Sequence, residues 1–169
     1  MLGSSLLRRI SKKKIAKKIF VYEKSKKNIA KIKKYKLPGI IVKKLSNAVT
    51  ESNLIIFCTP MSEYKNIILK INKHLTPKHI ITDLGSSKLK SKEVVQKNLK
   101  KNIFWTSSHP IAGSEVSGPE HGREDLFKNK WSVLIKDKKT NLKNLKFLNS
   151  FWKKMRAKVV IQNFDIHDK

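Results

Sequence analysis

The sequence predicts an α/β fold in which a mostly parallel sheet carries helices on both of its faces. Short apolar runs alternate with amphipathic stretches along the whole chain, which is the pattern of strands that alternate with helices. The chain has 169 residues, of which 39% are hydrophobic, so it has the length of one ordinary domain and enough apolar residues to form a core.

In the N-terminal half, the predicted strands are short apolar runs, at 19–22, 40–42, 54–58 and 78–82. The run at 54–58 has no polar residue, which is typical of a strand buried on both faces. Serines that can cap a helix, or apolar residues at helical spacing, predict helices that begin near Gly3, Ser25, Ser46 and Tyr64.

The C-terminal half continues this alternation. A helix is predicted at 91–99 and the next strand at 103–105, followed by a long loop rich in Gly, Ser and Pro at 107–120. The remaining elements are a strand at 131–135, a helix with an apolar stripe at 141–155 and a last strand at 159–161.

The formal net charge of +27 raises the alternative of a basic nucleic-acid-binding domain. The basic residues are 35 Lys and only 4 Arg, whereas base and phosphate recognition favours the planar guanidinium group. Lys, Ile and Asn share A/T-rich codons, so a base bias of the genome explains their joint abundance. Lysine is absent from the 26 residues of 102–127, which indicates that the lysine enrichment of the rest of the chain does not extend into this region. We therefore favour a basic but solvated surface.

Composition also excludes other classes of protein. No apolar run approaches the roughly 18–20 residues of a membrane span, and the first ten residues lack the apolar region of a signal peptide. The single Cys58 excludes an internal disulfide and a cysteine-based zinc site, and no histidine pair has metal-ligand spacing. We expect a cytoplasmic protein with no metal, no membrane partner and no nucleic-acid partner.

The N-terminal residues carry part of a dinucleotide-binding pattern. Gly3 opens a helix, and about 20 residues later Glu23 ends a strand. In such a unit, N–H groups at the helix start face a pyrophosphate, and the acid accepts hydrogen bonds from ribose hydroxyls. Gly3, Ser4 and Glu23 are therefore candidate cofactor-binding residues. The alternative is an ordinary helix start and a strand that ends on Glu, because only one glycine of Gly-x-Gly-x-x-Gly is present.

Two polar loops follow neighbouring predicted strands, one with Ser86 and the other with His109, Ser114 and Glu115. Ligands in open α/β sheets bind outside the carboxyl ends of the strands, so these loops are expected to lie side by side. A histidine there can act as a general base, and a serine can orient a substrate hydroxyl. An esterase triad is not required, because no Gly-x-Ser-x-Gly elbow is present. The alternative for His109 is a structural loop histidine.

These residues resemble the prephenate and arogenate (cyclohexadienyl) dehydrogenase family. The run from His109 to Pro119, followed by Asp125-Leu126-Phe127, is similar to that family's signature, and 82–88 is similar to its serine loop. The segments 2–6 and 21–25 look like the ends of its glycine motif and second strand. Asn129-Lys130-Trp131 and His167-Asp168 also fit in order. The resemblance covers essentially the whole chain and implies a Rossmann-like fold.

The resemblance also implies an activity, the oxidative decarboxylation of prephenate, arogenate or both in tyrosine biosynthesis. Hydride leaves C4 of the substrate ring for a nicotinamide, and loss of the ring carboxylate as CO₂ gives 4-hydroxyphenylpyruvate or tyrosine. By resemblance, His109 is the base or hydrogen-bond acceptor at the C4 hydroxyl, Ser86 supports the same contact, and Ser114 and Glu115 lie at the substrate pocket.

On the cofactor side, the resemblance places Thr59 and Pro60 beside the dinucleotide. Glu23 favours NAD, because a carboxylate repels the 2′-phosphate of NADP, although Lys24 beside it keeps NADP possible. Another Rossmann-type dehydrogenase, such as a β-hydroxyacid type, is a further alternative, but that class does not explain the His109 motif.

The chain also departs from the family pattern. The family begins with a strand and two further glycines, and after its His-Asp pair it continues into a helical dimerisation domain. We therefore expect residues 1–169 to be a partial NAD(P)-binding domain without its first strand, and we expect this polypeptide alone to be poorly stable and inactive. The full-length protein is expected to form a homodimer through that C-terminal domain.

Overall fold

A computed structural model describes residues 1–113 and 116–168 of the chain. Its helices are α1 (Leu2–Lys12), α2 (Lys26–Lys34), α3 (Leu45–Thr50), α4 (Tyr64–Ile71), α5 (Lys88–Asn98), α6 (Leu142–Lys154) and α7 (Phe164–His167). Its strands are β1 (Phe20–Val21), β2 (Ile40–Ile41), β3 (Leu54–Phe57), β4 (Ile80–Asp83), β5 (Ser108–Pro110), β6 (Trp131–Ile135) and β7 (Lys158–Gln162). In these ranges, no helix is long and apolar enough to span a bilayer.

Most strand pairs are parallel, which confirms the predicted fold class. β1 pairs with β2, β3 with β4 and β6 with β7 in parallel, and only β5 and β6 are antiparallel. A single parallel bridge between Ile81 and Trp105 connects β4 to the segment that leads into β5. Within the described ranges, no strand pairs with both β1 and β3, so the sheet is interrupted between these two strands.

Alternate residues of β3 belong to two different cores, which shows that helices cover both faces of this part of the sheet. Leu54 and Ile56 pack against the core that contains α1 and α6. Ile55 and Phe57 belong to the core that contains α3, α4 and α5. β3 is nevertheless less buried than its continuous apolar sequence predicts: only Phe57 is fully buried, because one edge of β3 has no described partner strand.

Several predicted helix boundaries have a local cause in the structure. Ser25 Oγ accepts a hydrogen bond from Asn28 N–H at 3.2 Å and caps α2. Asn141 Oδ1 caps α6 in the same way. Gly39 ends the turn between α2 and β2. Its φ is +110°, a backbone conformation that favours glycine.

The prediction of a strand at 103–105 is wrong, because only Trp105 makes a sheet bridge. The strand lies instead inside the predicted loop, at Ser108–Pro110, and it contains His109. A polar strand can be buried here because Ser108 Oγ donates to the carbonyl oxygen of Asp83 at 2.8 Å. α5 also begins three residues earlier than predicted, and α7 was not predicted at all.

Candidate active site

His109 lies in the middle of β5 and lines a cavity of about 350 Å³. Its side chain is half-buried, because β5 is held against β6. The other residues that line the cavity are Pro110, Ile111, Ala112, Gly113 and Lys130. A histidine on such a cavity, with a cationic side chain on the same lining, is suited to proton transfer with a small anionic ligand.

A buried ion pair lies beside β5. Asp83 ends β4 and Lys88 begins α5, and both side chains are 0% exposed. Lys88 Nζ donates to Asp83 Oδ2 at 2.8 Å, and Tyr64 OH donates to the same oxygen at 3.1 Å. Space is tight at Gly85 nearby, because a Cβ at this position would lie 3.0 Å from Tyr64 OH. The pair thus has the additional hydrogen bonds that a buried ion pair needs.

The same network holds the two residues before His109. Ser107 Oγ accepts from Lys88 Nζ at 2.8 Å and donates to Asp83 Oδ1 at 2.7 Å. Lys88 Nζ also donates to the carbonyl oxygen of Ser108 at 2.9 Å. The backbone that carries His109 is therefore held by side chains from β4 and α5, an arrangement that preorganises a reactive group.

Burial shifts the pKa values of this network in the directions expected for desolvated groups. It lowers the pKa of Lys88, although the charge and hydrogen bond of Asp83 oppose this shift. Burial raises the pKa of Tyr64, and the charge of the Asp83 carboxylate raises it further. Tyr64 is therefore a protonated hydrogen-bond donor to Asp83.

The pKa of His109 is lowered to about 4, first by burial and then by the charge of Lys88, and a proton on the neighbouring His167 would lower it further. The carboxylates of Asp83 and Asp168 act in the opposite direction but are weaker. His109 is therefore neutral near pH 7, and a neutral imidazole has one nitrogen that can accept a proton.

A second histidine contacts the first. His167 Nε2 lies 2.9 Å from His109 Nδ1, and His167 Nδ1 lies 2.7 Å from Asp168 Oδ1. The carboxylate of Asp168 also accepts hydrogen bonds from the N–H groups of Lys88 and Leu89, at 3.1 and 2.8 Å. The segment at the end of α7 is thereby connected to the start of α5.

The other three residues predicted for this site have no described contact with His109. Ser86 is exposed in the turn between β4 and α5, and among the described residues it makes no hydrogen bond to His109. Ser114 and Glu115 lie outside the described residues. The roles of all three in substrate binding stay predictions.

The start of α1 lies against the end of β3. A Cβ at Gly3 would lie 3.2 Å from the Cβ of Cys58, so glycine relieves a tight contact between α1 and the end of β3. Ser4 is buried, and its Oγ donates to the carbonyl oxygen of Met1 at 2.8 Å. The hydroxyl of Ser4 is thus bonded within its own first turn, and the N–H group of Ser4, which has no partner within an α-helix, is the group suited to a ligand.

The remaining predicted cofactor residues lie around the ends of β1 and β3. Thr59 Oγ1 is buried without a hydrogen-bond partner in the described part of the chain, and Pro60 is exposed beside it. Glu23 accepts hydrogen bonds from Ser25 N–H at 2.8 Å and from the Asn28 amide at 3.3 Å. A buried hydroxyl without a partner among the described residues, together with the N–H groups of Gly3 and Ser4, fits a polar ligand such as a dinucleotide phosphate.

The profile of the family described as "Prephenate dehydrogenase, nucleotide-binding domain" matches residues 6–161. The chain belongs to the prephenate dehydrogenase family. It is 25% identical over 150 residues to a cyclohexadienyl dehydrogenase of Zymomonas mobilis, covering 89% of this chain and 51% of that protein. It is 30% identical over 124 residues to a prephenate dehydrogenase of Bacillus subtilis, covering 72% of this chain and 33% of that protein. The chain thus spans about half the length of the first relative and about a third of the second.

Solved structures of the family share the fold. Prephenate dehydrogenase from Aquifex aeolicus superposes with a TM-score of 0.88 at 24% identity, covering 99% of this chain and 60% of that one. The same enzyme has also been solved in complex with hydroxyphenyl propionate and NAD⁺, with a TM-score of 0.84 at 22% identity, covering 99% and 58% of the two chains.

Sequence reasoning assigned no role to the residues that hold His109. Lys88 is one of 35 lysines, and nothing in the sequence separates it from the exposed ones except its position directly after a polar turn. Asp83, Ser107 and the His167-Asp168 pair were noted only as parts of motifs. The contacts of His167 and Asp168 join positions 58 and 80 residues apart, so sequence spacing contains no signal for them.

Proposed function

We propose that the protein is an NAD-dependent dehydrogenase that oxidises and decarboxylates prephenate, arogenate or both in tyrosine biosynthesis. The observation that carries the proposal is His109, a neutral histidine on a cavity, whose Nδ1 contacts His167. Membership of the prephenate dehydrogenase family supports it, as does the complex of the Aquifex enzyme with hydroxyphenyl propionate and NAD⁺.

In this proposal His109 accepts the proton of the substrate's ring hydroxyl through Nε2, the nitrogen that His167 does not contact. Lys130, on the same cavity lining, attracts a carboxylate of the substrate. Ser86 orients the ring hydroxyl, and Ser114 and Glu115 contact the substrate. Bound NAD supplies the hydride acceptor.

The cofactor is held on the other side of the site. The N–H groups of Gly3 and Ser4 would bind the pyrophosphate at the positive end of α1, and the Glu23 carboxylate would accept hydrogen bonds from the ribose hydroxyls. Thr59 and Pro60 line the dinucleotide, and the partnerless Thr59 hydroxyl gains a hydrogen bond. NAD is favoured over NADP, because Lys24 is already paired with Glu63 at 2.6 Å and does not offer its charge to a 2′-phosphate.

The whole protein is proposed to act on its small-molecule substrate in the cytoplasm as a homodimer. A single cysteine is consistent with a reducing compartment. The dimer is a proposal from family resemblance alone.

Two measurements test the proposed function. Titration calorimetry of the whole protein with NAD⁺ and NADP⁺ is expected to show tighter binding of NAD⁺. Absorbance of NADH in the whole protein is expected to rise with prephenate or arogenate, and not in the His109→Asn variant. Failure of both substrates to yield NADH in the whole protein contradicts the proposal.

A further inference from the structure

The contacts of His167 and Asp168 determine which nitrogen of His109 carries its proton. Asp168 accepts three hydrogen bonds, two from backbone N–H groups at the start of α5 and one from His167. Burial acts to raise the pKa of Asp168, but hydrogen bonds from Leu89 N–H, His167 and Lys88 N–H outweigh it, and the pKa lies below its ordinary value. Asp168 is therefore ionised and can only accept hydrogen bonds.

An ionised Asp168 requires a donor at its contact with His167, which lies 2.7 Å away. His167 Nδ1 thus carries hydrogen, and in neutral His167 the other ring nitrogen, Nε2, is an acceptor. The side chain of His167 is only 8% exposed, so water has little access to compete for that nitrogen.

The acceptor nitrogen of His167 lies 2.9 Å from His109 Nδ1. A hydrogen bond at this distance requires hydrogen on His109 Nδ1, and Nε2 of His109 then has the free lone pair. The two rings meet edge to face, with centroids 5.1 Å apart and planes at 62°, which is compatible with an in-plane donor pointing at the other ring's nitrogen.

We propose that His167 and Asp168 are positioning residues that hold His109 in its Nδ1–H tautomer, so that Nε2 is available as the proton acceptor. The inference rests on the proposed function for its catalytic consequence, but the tautomer itself does not depend on it. When His109 takes up a proton at Nε2, the imidazolium retains its hydrogen bond to His167, and Asp168 lies at the far end of the chain of contacts.

The start of α5 links this chain of contacts to the buried ion pair. Lys88 offers its N–H to Asp168 and its ammonium to Asp83 and to the Ser107–Ser108 segment. Both the backbone before His109 and the ring nitrogen of His109 are therefore oriented from one helix start. The charged and titratable groups that act on His109 are Lys88, His167, Asp83 and Asp168.

The tautomer can be observed directly by long-range ¹H–¹⁵N NMR of the whole protein at about pH 8.5, where histidines are ordinarily neutral. The His109→Asn variant assigns the His109 signals. We expect hydrogen on Nδ1 of His109 and on Nδ1 of His167 in the wild type. A His109 ring with its hydrogen on Nε2 overturns the proposal, whatever the variants do.

Two variants and a matched control extend the test. His167→Phe keeps an aromatic ring but removes the acceptor, and Asp168→Asn removes the carboxylate. Both are expected to move His109 towards the Nε2–H tautomer. Asp165→Asn, an exposed position on the same helix with the same charge change, is expected to leave the tautomer unchanged. If His167→Phe does not fold, the wild-type tautomer and Asp168→Asn still decide the matter.

Kinetics in the whole protein separates this inference from the proposed function. His167→Phe is expected to lower kcat about tenfold or more, but less than His109→Asn does, with KM for NAD⁺ unchanged. If NMR shows the expected tautomer but neither the wild type nor any variant forms NADH, the proposed function is refuted. The assignment of the tautomer then still stands. An active enzyme in which His167→Phe and Asp168→Asn retain kcat within about twofold refutes the catalytic importance of this positioning.

Discussion

The two sides of the site differ in how their polar groups are satisfied. Around His109, the polar side chains of Asp83, Lys88 and Ser107 are buried and hydrogen-bonded to one another. On the cofactor side, the Thr59 hydroxyl is buried without a described partner, and the N–H groups at the start of α1 have no partner within the helix.

This difference indicates two kinds of site. The His109 side is preorganised by the protein itself, because the side chains of Asp83, Lys88 and Ser107 are hydrogen-bonded to one another before any ligand binds. The cofactor side is completed by its ligand, because a buried polar group without a partner costs free energy until a partner arrives. Substitutions on the first side are therefore expected to change catalysis and stability, and substitutions on the second side to change binding.

The largest expected effect is that of His109→Asn. Loss of the proton acceptor is expected to lower kcat of the whole protein by about 10²–10⁴-fold, while NAD⁺ affinity changes little. Steady-state NADH formation and calorimetry measure the two quantities. His121→Asn, at an exposed histidine in the loop before β6, is the matched control and is expected to leave kcat and NAD⁺ affinity unchanged. Equal loss of NAD⁺ affinity in His109→Asn contradicts the separation of the two sides.

Removal of the buried ammonium is expected to have the largest effect on stability. Lys88→Met leaves Asp83 buried without its cation, which is expected to lower the free energy of unfolding by about 3–5 kcal/mol. Urea denaturation measures this change. The double variant Lys88→Met, Asp83→Asn is expected to recover part of it, and Lys90→Met, exposed on the same helix, to change it by less than about 0.5 kcal/mol. If Lys88→Met leaves the free energy of unfolding unchanged, the buried ion-pair network does not stabilise this side of the site.

Thr59→Val tests whether the buried hydroxyl on the cofactor side lacks a hydrogen-bond partner until a ligand binds. Without a ligand, removal of the partnerless hydroxyl is expected to leave the free energy of unfolding unchanged or to raise it by about 1 kcal/mol. Loss of the hydrogen bond to NAD⁺ is expected to weaken binding about fivefold. Thr50→Val, at an exposed hydroxyl on α3, is the control. A destabilised Thr59→Val chain shows instead that the hydroxyl already has a partner.

Glu23→Gln sharpens the account of cofactor choice. It keeps an acceptor for Ser25 N–H but removes the charge that repels a 2′-phosphate, so the affinity for NADP⁺ is expected to rise about fivefold relative to that for NAD⁺. Competitive titration with the two nucleotides measures the ratio. Glu51→Gln, which removes an exposed carboxylate paired with Lys18, is expected to leave the ratio unchanged. An unchanged ratio in Glu23→Gln removes Glu23 from the specificity determinants.

A further test of the comparison is a pH dependence of stability on the His109 side. The pKa of folded His109 is about 4, below the unfolded value of about 6.5, so the unfolded chain binds this proton first on acidification. The contribution of His109 to the free energy of unfolding is therefore expected to fall as pH decreases from about 6.5 to about 4 and to level off below. The difference between wild type and His109→Asn, followed by urea denaturation across this range, measures it. A difference that is constant with pH contradicts the lowered pKa.

Much of the fold could be predicted, because the controlling interactions are local. Ser25 and Asn141 cap helices through their own neighbours, and the apolar run at 131–135 forms the strand that was predicted. The strand at 103–105 could not be rejected from sequence, because a short apolar run looks the same whether or not a partner strand lies beside it.

The candidate site was predictable to a similar extent. His109 stands out because a Gly-, Ser- and Pro-rich segment surrounds it and lysine is absent there. Ser86 follows the neighbouring strand as expected, but it is exposed and makes no described contact with His109. What holds His109 was not predictable, because Lys88 and His167 reach it from elements distant in the sequence.

The sequence by itself determined the α/β class, the order of most elements, the family and the histidine. Each depends on periodicity, capping or a short motif, and these are properties of neighbouring residues. The tertiary structure alone decided that Lys88 is buried, and that His109 contacts a second histidine distant in the sequence. The physical reason is that a desolvated charge is tolerated only where several partners converge, and such convergence exists only once the chain has folded.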